Sequence, residues 1–182
     1  MTPAVGADLS RPVAGFVGLG SNLGDSVRTL QAALEALDRL PGIRVVRASR
    51  FYRTPAWGLE SQPDFVNAVA LVETSLSARA LLEAMLQLER EAGRERREDG
   101  SDRWGPRTLD LDLLLYGDAV IDQPGLRLPH PHLHERAFAL VPLVEIAPGA
   151  VIPGLGLASA ALAGLATGDI EALTYAGPSA DA

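Results

Sequence analysis

Two residue types are missing from these 182 residues: cysteine and lysine. Without cysteine there is no disulfide, no thiolate nucleophile and no cysteine-zinc site. Without lysine there is no Walker phosphate loop, no lysine on the third strand of a kinase-type fold, and no Schiff-base chemistry. All 16 basic residues are arginine, so any phosphate must be held by arginine, metal or backbone amides. No apolar run reaches the roughly 18 residues of a membrane span. Residues 1–12 lack the charged start and apolar core of a signal peptide, so a cytoplasmic location with no membrane partner is expected. The net charge of −7 also argues against nucleic acid, whose phosphates need a positive surface.

What is present fits one folded unit. The apolar content of 47% and charged content of 21% are those of a globular protein. Val13 to Gly20 reads as a strand and runs into Ser21-Asn22-Leu23-Gly24-Asp25, where Asn22 or Asp25 can cap the next helix. Val27, Leu30, Leu34 and Leu37 recur at helical spacing until Pro41-Gly42. Arg44 to Thr54 reads as a second strand and Phe65 to Glu73 as a third. Ser77 is a candidate N-cap for a second helix, with apolar rows Leu81, Met85, Leu88, Ala92 and Leu82, Leu86, Glu89. A strand around Asp110-Leu111-Asp112 completes the order β-α-β-β-α-β. That order predicts an α+β, ferredoxin-like fold: an antiparallel sheet with both helices on one face. The other face is left for loops, a ligand or further helices, which His134 to Val141 and Leu157 to Leu165 can supply. We expect a single domain over residues 1–182, with its core at about 13–165.

The chemistry concentrates in Arg103-Trp104-Gly105-Pro106-Arg107-Thr108-Leu109-Asp110-Leu111-Asp112. A strand turns alternate side chains to opposite faces, so Asp110 and Asp112 share one face while Leu109, Leu111 and Leu113 share the other. Their Cα atoms lie ~7 Å apart, close enough to share a pair of hard cations. Arginines beside such a pair point to metal-assisted transfer on a polyphosphate. The plain alternative is a solvated strand edge with weak ion pairs. The run Leu111, Leu113, Leu114, Leu115 argues against it, because it reads as a central, buried strand, where carboxylates need strong partners.

Other segments support the same chemistry less specifically. Gly18-Leu19-Gly20-Ser21-Asn22-Leu23-Gly24 lacks the spacing of a dinucleotide fingerprint, and no acidic residue ends the second strand. Phe65 and Asn67 share a strand face, a combination that suits a flat heterocycle: the ring stacks and the amide reads an edge. Core packing explains the pair equally well. Gly93 to Arg103 is a glycine-flanked charged loop, by composition a solvated run, whose arginines could close over phosphates. Glu89 ends an apolar row and is expected to face inwards nearby. Of His130, His132 and His134, one is expected in the site, donating to phosphate, and zinc binding is the lesser reading.

Taken in order, Gly18 to Gly24, Phe51-Tyr52-Arg53-Thr54-Pro55, Gln62-Pro63-Asp64-Phe65-Val66-Asn67, Gly93-Arg94-Glu95-Arg96, the 103–112 block and Pro129-His130 through Arg136-Ala137-Phe138 resemble the 6-hydroxymethyl-7,8-dihydropterin pyrophosphokinases of folate biosynthesis. The resemblance covers about residues 13–153. It implies transfer of the β,γ-diphosphate of ATP to the pterin's hydroxymethyl group, release of AMP, and two magnesium ions. It further implies that Asp110 and Asp112 bind metal, with Asp112 accepting or orienting the hydroxyl proton. Arg94 and Arg96 match mobile-loop arginines of the catalytic machinery. Glu89, Arg96, Arg103, Trp104, Arg107, His130 and Arg136 match positions around the nucleotide. Thr54, Pro55, Trp57, Phe65, Asn67 and Phe138 match the pterin pocket, with Phe65 and Phe138 sandwiching the ring. The chain departs from the pattern at Trp57, where smaller aliphatics also occur, in a longer and more acidic lid (Glu98, Asp99, Asp102), and at Gly125, where Arg127 can replace an arginine contact. A monomer acting on ATP and the pterin is the expectation. Two other classes remain on this reading: a non-catalytic nucleotide- or metabolite-sensing module on the same scaffold, and an RNA-binding domain, against which the negative charge speaks.

Overall fold

A computed structural model describes residues 11–55, 62–93 and 108–174. The first strand, β1, spans Val13–Ser21 and turns into helix α1, Ser26–Arg39. Asp25 rather than Asn22 caps this helix, its Oδ1 accepting from the backbone N–H of Arg28 at 3.1 Å. Gly42, at φ +82°, makes the reversal after the helix that a side chain would strain.

The segment expected as one strand from Arg44 to Thr54 is two: β2, Ile43–Ala48, and β3, Tyr52–Thr54. Both pair antiparallel with β4, Phe65–Thr74. Side chains explain how the ladder is interrupted without losing its hydrogen bonds. Ser49 N–H donates to Val69 O at 2.9 Å, and the Ser49 hydroxyl accepts from Val69 N–H at 2.9 Å. The Arg50 N–H turns outwards to the Glu145 carboxylate at 3.0 Å. The hydroxyl thus pairs the buried Val69 N–H, and the carboxylate pairs the outward Arg50 N–H.

Helix α2, Ala78–Glu91, follows with Ser77 as its N-cap, the Oγ accepting from Ala80 N–H at 3.1 Å. Strand β5, Asp110–Tyr116, pairs antiparallel with β1. The main sheet has the order β10-β3-β4-β1-β5, where β10 is Glu171–Ala172, and β2 continues alongside β4. This is the antiparallel ferredoxin-like arrangement expected from the element order.

One expectation is corrected here. Strand β5 lies at the edge of the sheet, not at its centre. Its leucines are buried because the chain itself covers that edge. The hairpin of β6, Ile121–Gln123, and β7, Leu126–Leu128, sends Leu126 and Leu128 into the core. Just beyond it, His130 N–H donates to Leu114 O at 2.9 Å. A shift in register between β1 and β5 inserts Leu114 as an extra residue, since Phe16 faces Leu115 while Val17 faces Leu113. Leu111 and Leu113 therefore enter the layer beneath α1 and α2, and Leu114 and Leu115 both enter the layer on the other face.

That other layer is built by a 3-10 turn, Leu133–Glu135, by α3, Ala137–Ile146, and by α4, Ala158–Ala163. A small hairpin of β8, Val151–Ile152, and β9, Gly156–Leu157, joins the two helices. Leu133, Leu140, Leu143 and Ile152 pack there against Val69 and Leu114. Among the described residues no helix is long and apolar enough to cross a membrane. Because Leu140 is fully buried, Leu140→Ala should cost about 2–5 kcal/mol in urea unfolding, while Val120→Ala, at a position 74% exposed, should stay within about 0.5 kcal/mol. Equal midpoints for the two variants would mean that the second layer is not packed.

Candidate active site

In an antiparallel sheet, residues directly opposite one another point to the same face. On β1 Gly20 lies opposite both Asn67 on β4 and Asp110 on β5. Gly18 likewise lies between Val69 and Asp112. Two rows therefore cross the sheet, Asn67-Gly20-Asp110 and Val69-Gly18-Asp112, on the face turned away from α1 and α2. Helix α3 covers the Val69 side, and the glycines leave the floor between Asn67 and the aspartates low. Two strand spacings, about 10 Å, separate the ends of a row.

At one end Asn67 and Thr54 are buried, and Asn67 Nδ2 donates to Thr54 Oγ1 at 2.8 Å. Phe65 is opposite Thr54 and half-buried, while Pro55 is exposed at the end of β3. Phe138, near the start of α3, packs against the second core layer with the Arg136 guanidinium 5.8 Å over its ring. At the other end Arg136 Nη1 comes within 3.9 Å of Asp112 Oδ2. Arg136 thus joins the aromatic side of the site to its acidic side.

His130 stands beside this cluster. Burial first, then the positive Arg136 and the neighbouring His132, push its pKa from 6.5 down to about 4, with Asp110 opposing and Arg127 adding to the shift. His132 N–H donates to His130 Nδ1 at 3.2 Å, so the neutral ring carries its proton on Nε2. His132 and His134 instead lie 3.4 Å from the two oxygens of the exposed Glu135. The structure thus separates one histidine from the other two.

Glu89 reaches β5 from the helix side. It is 2% exposed, and its carboxylate accepts from Leu111 N–H at 2.8 Å, on the residue between the two aspartates. Its visible work is to hold that strand. A tie not anticipated from the sequence links Asn22, which is buried, to Gln62 Oε1 at 3.1 Å and Pro63 O at 3.3 Å through its Nδ2. This clips the turn after β1 to the segment that leads into Phe65 and Asn67. No local pattern announces a bond between side chains 40 positions apart. Trp57, Arg94, Arg96, Arg103, Trp104 and Arg107, with the acidic positions Glu98, Asp99 and Asp102, lie outside the described residues.

Among the described residues no three or more His, Asp or Glu side chains form a metal-holding group. Two carboxylates on one strand face are nevertheless the donor set that suits magnesium, which completes its shell with waters and substrate phosphate oxygens. Asp110 and Asp112 fit that ion and do not fit a zinc site built wholly from protein ligands.

The sequence model described as 7,8-dihydro-6-hydroxymethylpterin-pyrophosphokinase (HPPK) matches residues 16–148. The chain is 48% identical over 139 residues to the 2-amino-4-hydroxy-6-hydroxymethyldihydropteridine pyrophosphokinase of Methylorubrum extorquens, covering 76% of this chain and 85% of that one. It is 45% identical over 141 residues to the protein of the same name from Haemophilus influenzae, covering 78% and 86%. The crystal structure of wild-type Plasmodium falciparum HPPK-DHPS superimposes with a TM-score of 0.64 at 12% identity, over 84% of this chain. This chain spans only 44% of that longer protein, and the likeness speaks to the fold.

Two outcomes are expected from this geometry. Glu89→Ala should leave the Leu111 N–H without its acceptor and cost about 1–3 kcal/mol in urea unfolding, while Glu89→Gln, which can still accept, should lose less. Equal losses would mean that the bond to Leu111 is not what Glu89 contributes. Because the folded His130 titrates at about 4 and the unfolded ring at 6.5, the unfolded chain takes up the proton first as pH falls. Stability should therefore decline from about pH 6.5 to about pH 4, and His130→Asn should remove that part of the slope. An unchanged slope would contradict the low value.

Proposed function

The chain belongs to the 7,8-dihydro-6-hydroxymethylpterin-pyrophosphokinase family, and on that premise we propose how its own residues carry out the transfer. The reaction moves the β,γ-diphosphate of ATP to the hydroxymethyl group of 6-hydroxymethyl-7,8-dihydropterin. The hydroxymethyl oxygen forms a bond to the β-phosphorus. The bond from that phosphorus to the oxygen bridging it to the α-phosphate breaks, and AMP leaves with that oxygen.

The observation that carries the assignment is the pair of rows across the sheet. A flat bicyclic ring that meets Asn67 at one edge can lie over Gly20 and bring a side arm towards Asp110 and Asp112. In our reading Thr54 and Asn67 fix the ring's edge by hydrogen bonds, and Phe65 and Phe138 stack on its faces with Pro55 and Trp57 beside them. His130, neutral in the free protein, donates to a phosphate oxygen through Nε2–H. Arg136, already turned to Asp112, meets the phosphate charge, and Arg94, Arg96, Arg103 and Arg107 with Trp104 contribute from residues 94–107. Asp112 accepts the hydroxyl proton or orients it. Two magnesium ions held by Asp110 and Asp112 would neutralise the triphosphate and lower the pKa of the attacking hydroxyl. Everything else is positioning and charge, which is what transfer at phosphorus chiefly needs. We further assign residues 1–182 to a single domain that works as a cytoplasmic monomer.

Asp112→Ala should fold like the parent and lower AMP formation from ATP, magnesium and the pterin by at least about a hundredfold, followed by chromatography. Activity within tenfold of the parent would overturn the assignment of the aspartate pair. Pterin binding with no AMP from the parent protein would point instead to a sensing module.

A further inference from the structure

We propose that Gly20 is a positioning residue for the heterocycle: its missing side chain holds open the space through which Asn67 Oδ1 reads the ring. The inference rests on the pyrophosphokinase reading and adds to it a residue that contributes only by being small.

Gly20 is not among the glycines with positive φ, so the backbone there does not require glycine. The surroundings do. A Cβ at position 20 would stand 3.0 Å from Asn67 Oδ1 and 4.0 Å from Val66 O. The neighbouring site-face glycine differs, since the atoms nearest to a Cβ on Gly18 belong to the Leu114 side chain, at 3.5–3.6 Å, an ordinary contact.

The amide at 67 is poorly placed to give way. Asn67 is 7% exposed and Thr54 is 5% exposed, and the Nδ2 is tied to Thr54 Oγ1 at 2.8 Å. That tie uses the donor end of the amide and turns the acceptor end towards Gly20. Among the described residues no protein donor reaches Asn67 Oδ1, and no buried side-chain oxygen there lacks a partner, so this atom keeps an opening to the outside. An acceptor fixed at the base of an opening selects a ring that presents N–H at that edge. It disfavours one that presents a lone pair, which would leave both groups unpaired. A methyl group at position 20 would push the amide off its line by a few tenths of an ångström or force it to break with Thr54. Either change blunts recognition of the ring and leaves the phosphate end, on β5 and beyond, alone.

The test is a double-mutant cycle on Gly20→Ala and Asn67→Ala, with pterin affinity by titration calorimetry and separate KM values for pterin and ATP. We expect Gly20→Ala to raise the pterin Kd and KM roughly tenfold or more while the KM for ATP stays within about twofold. In the Asn67→Ala background, where the crowded oxygen is gone, Gly20→Ala should add less than about twofold. Should Gly20→Ala alone fail to fold, recovery of folding in the double variant supports the proposal, and failure of the double variant overturns it. An unchanged pterin Kd in Gly20→Ala, or the same loss in both backgrounds, overturns it while leaving the pyrophosphokinase reading intact. Absence of pterin binding by the parent protein overturns both.

Discussion

The two-residue repeat of one strand is the constraint on which this molecule depends. On β5 it sends Leu111 and Leu113 into the layer under the helices and holds Asp110 and Asp112 on the opposite face. A slip of one residue would bury both carboxylates among leucines and expose the leucines, so the register of β5 cannot drift. Three contacts among the described residues enforce that register. β1 pairs along one side, Glu89 accepts from Leu111 N–H, and His130 donates to Leu114 O. The extra residue at Leu114 then resets the alternation just where the strand passes from site to core.

The second face of the sheet is divided between packing and chemistry. Where the side chains are Phe16, Val69, Leu71 and Leu114, α3 and its neighbours cover them. Where they are Gly20, Asn67 and the two aspartates, no core cluster of the described residues includes them. The division follows from side-chain volume: apolar bulk draws helices onto the sheet, and glycines between polar ends leave a shallow floor. Arg136 sits on the boundary, with Phe138 on one side and Asp112 on the other. A shift of α3 would therefore move the aromatic and the charged side of the site together.

Much of this was legible in the chain because it is local. The alternation around Asp110 and Asp112, the cap at Ser77 and the rows of α2 depend on neighbours in sequence, and each appears in the fold where the spacing puts it. The division of Arg44 to Thr54 into two strands was not legible, because it is settled by Ser49 bonding to Val69 and by Glu145 reaching back to Arg50. The edge position of β5 was also hidden. A leucine-rich run reads as central whether its cover is another strand or, as here, a returning loop. The shared face of Asp110 and Asp112 could be read from period alone. The tautomer of His130, the tie from Asn22 to Gln62 and the crowding between Gly20 and Asn67 arise only when distant segments meet.

The central claim is that two phosphoryl groups leave ATP together and that the bond broken lies between the α- and β-phosphorus. The most direct measurement is to supply ATP labelled at the β-phosphate, with magnesium and 6-hydroxymethyl-7,8-dihydropterin, and to find where the label goes. The account predicts that it moves to the pterin product in step with the appearance of unlabelled AMP. Label retained in ADP, with only the γ-phosphate on the pterin, would contradict it.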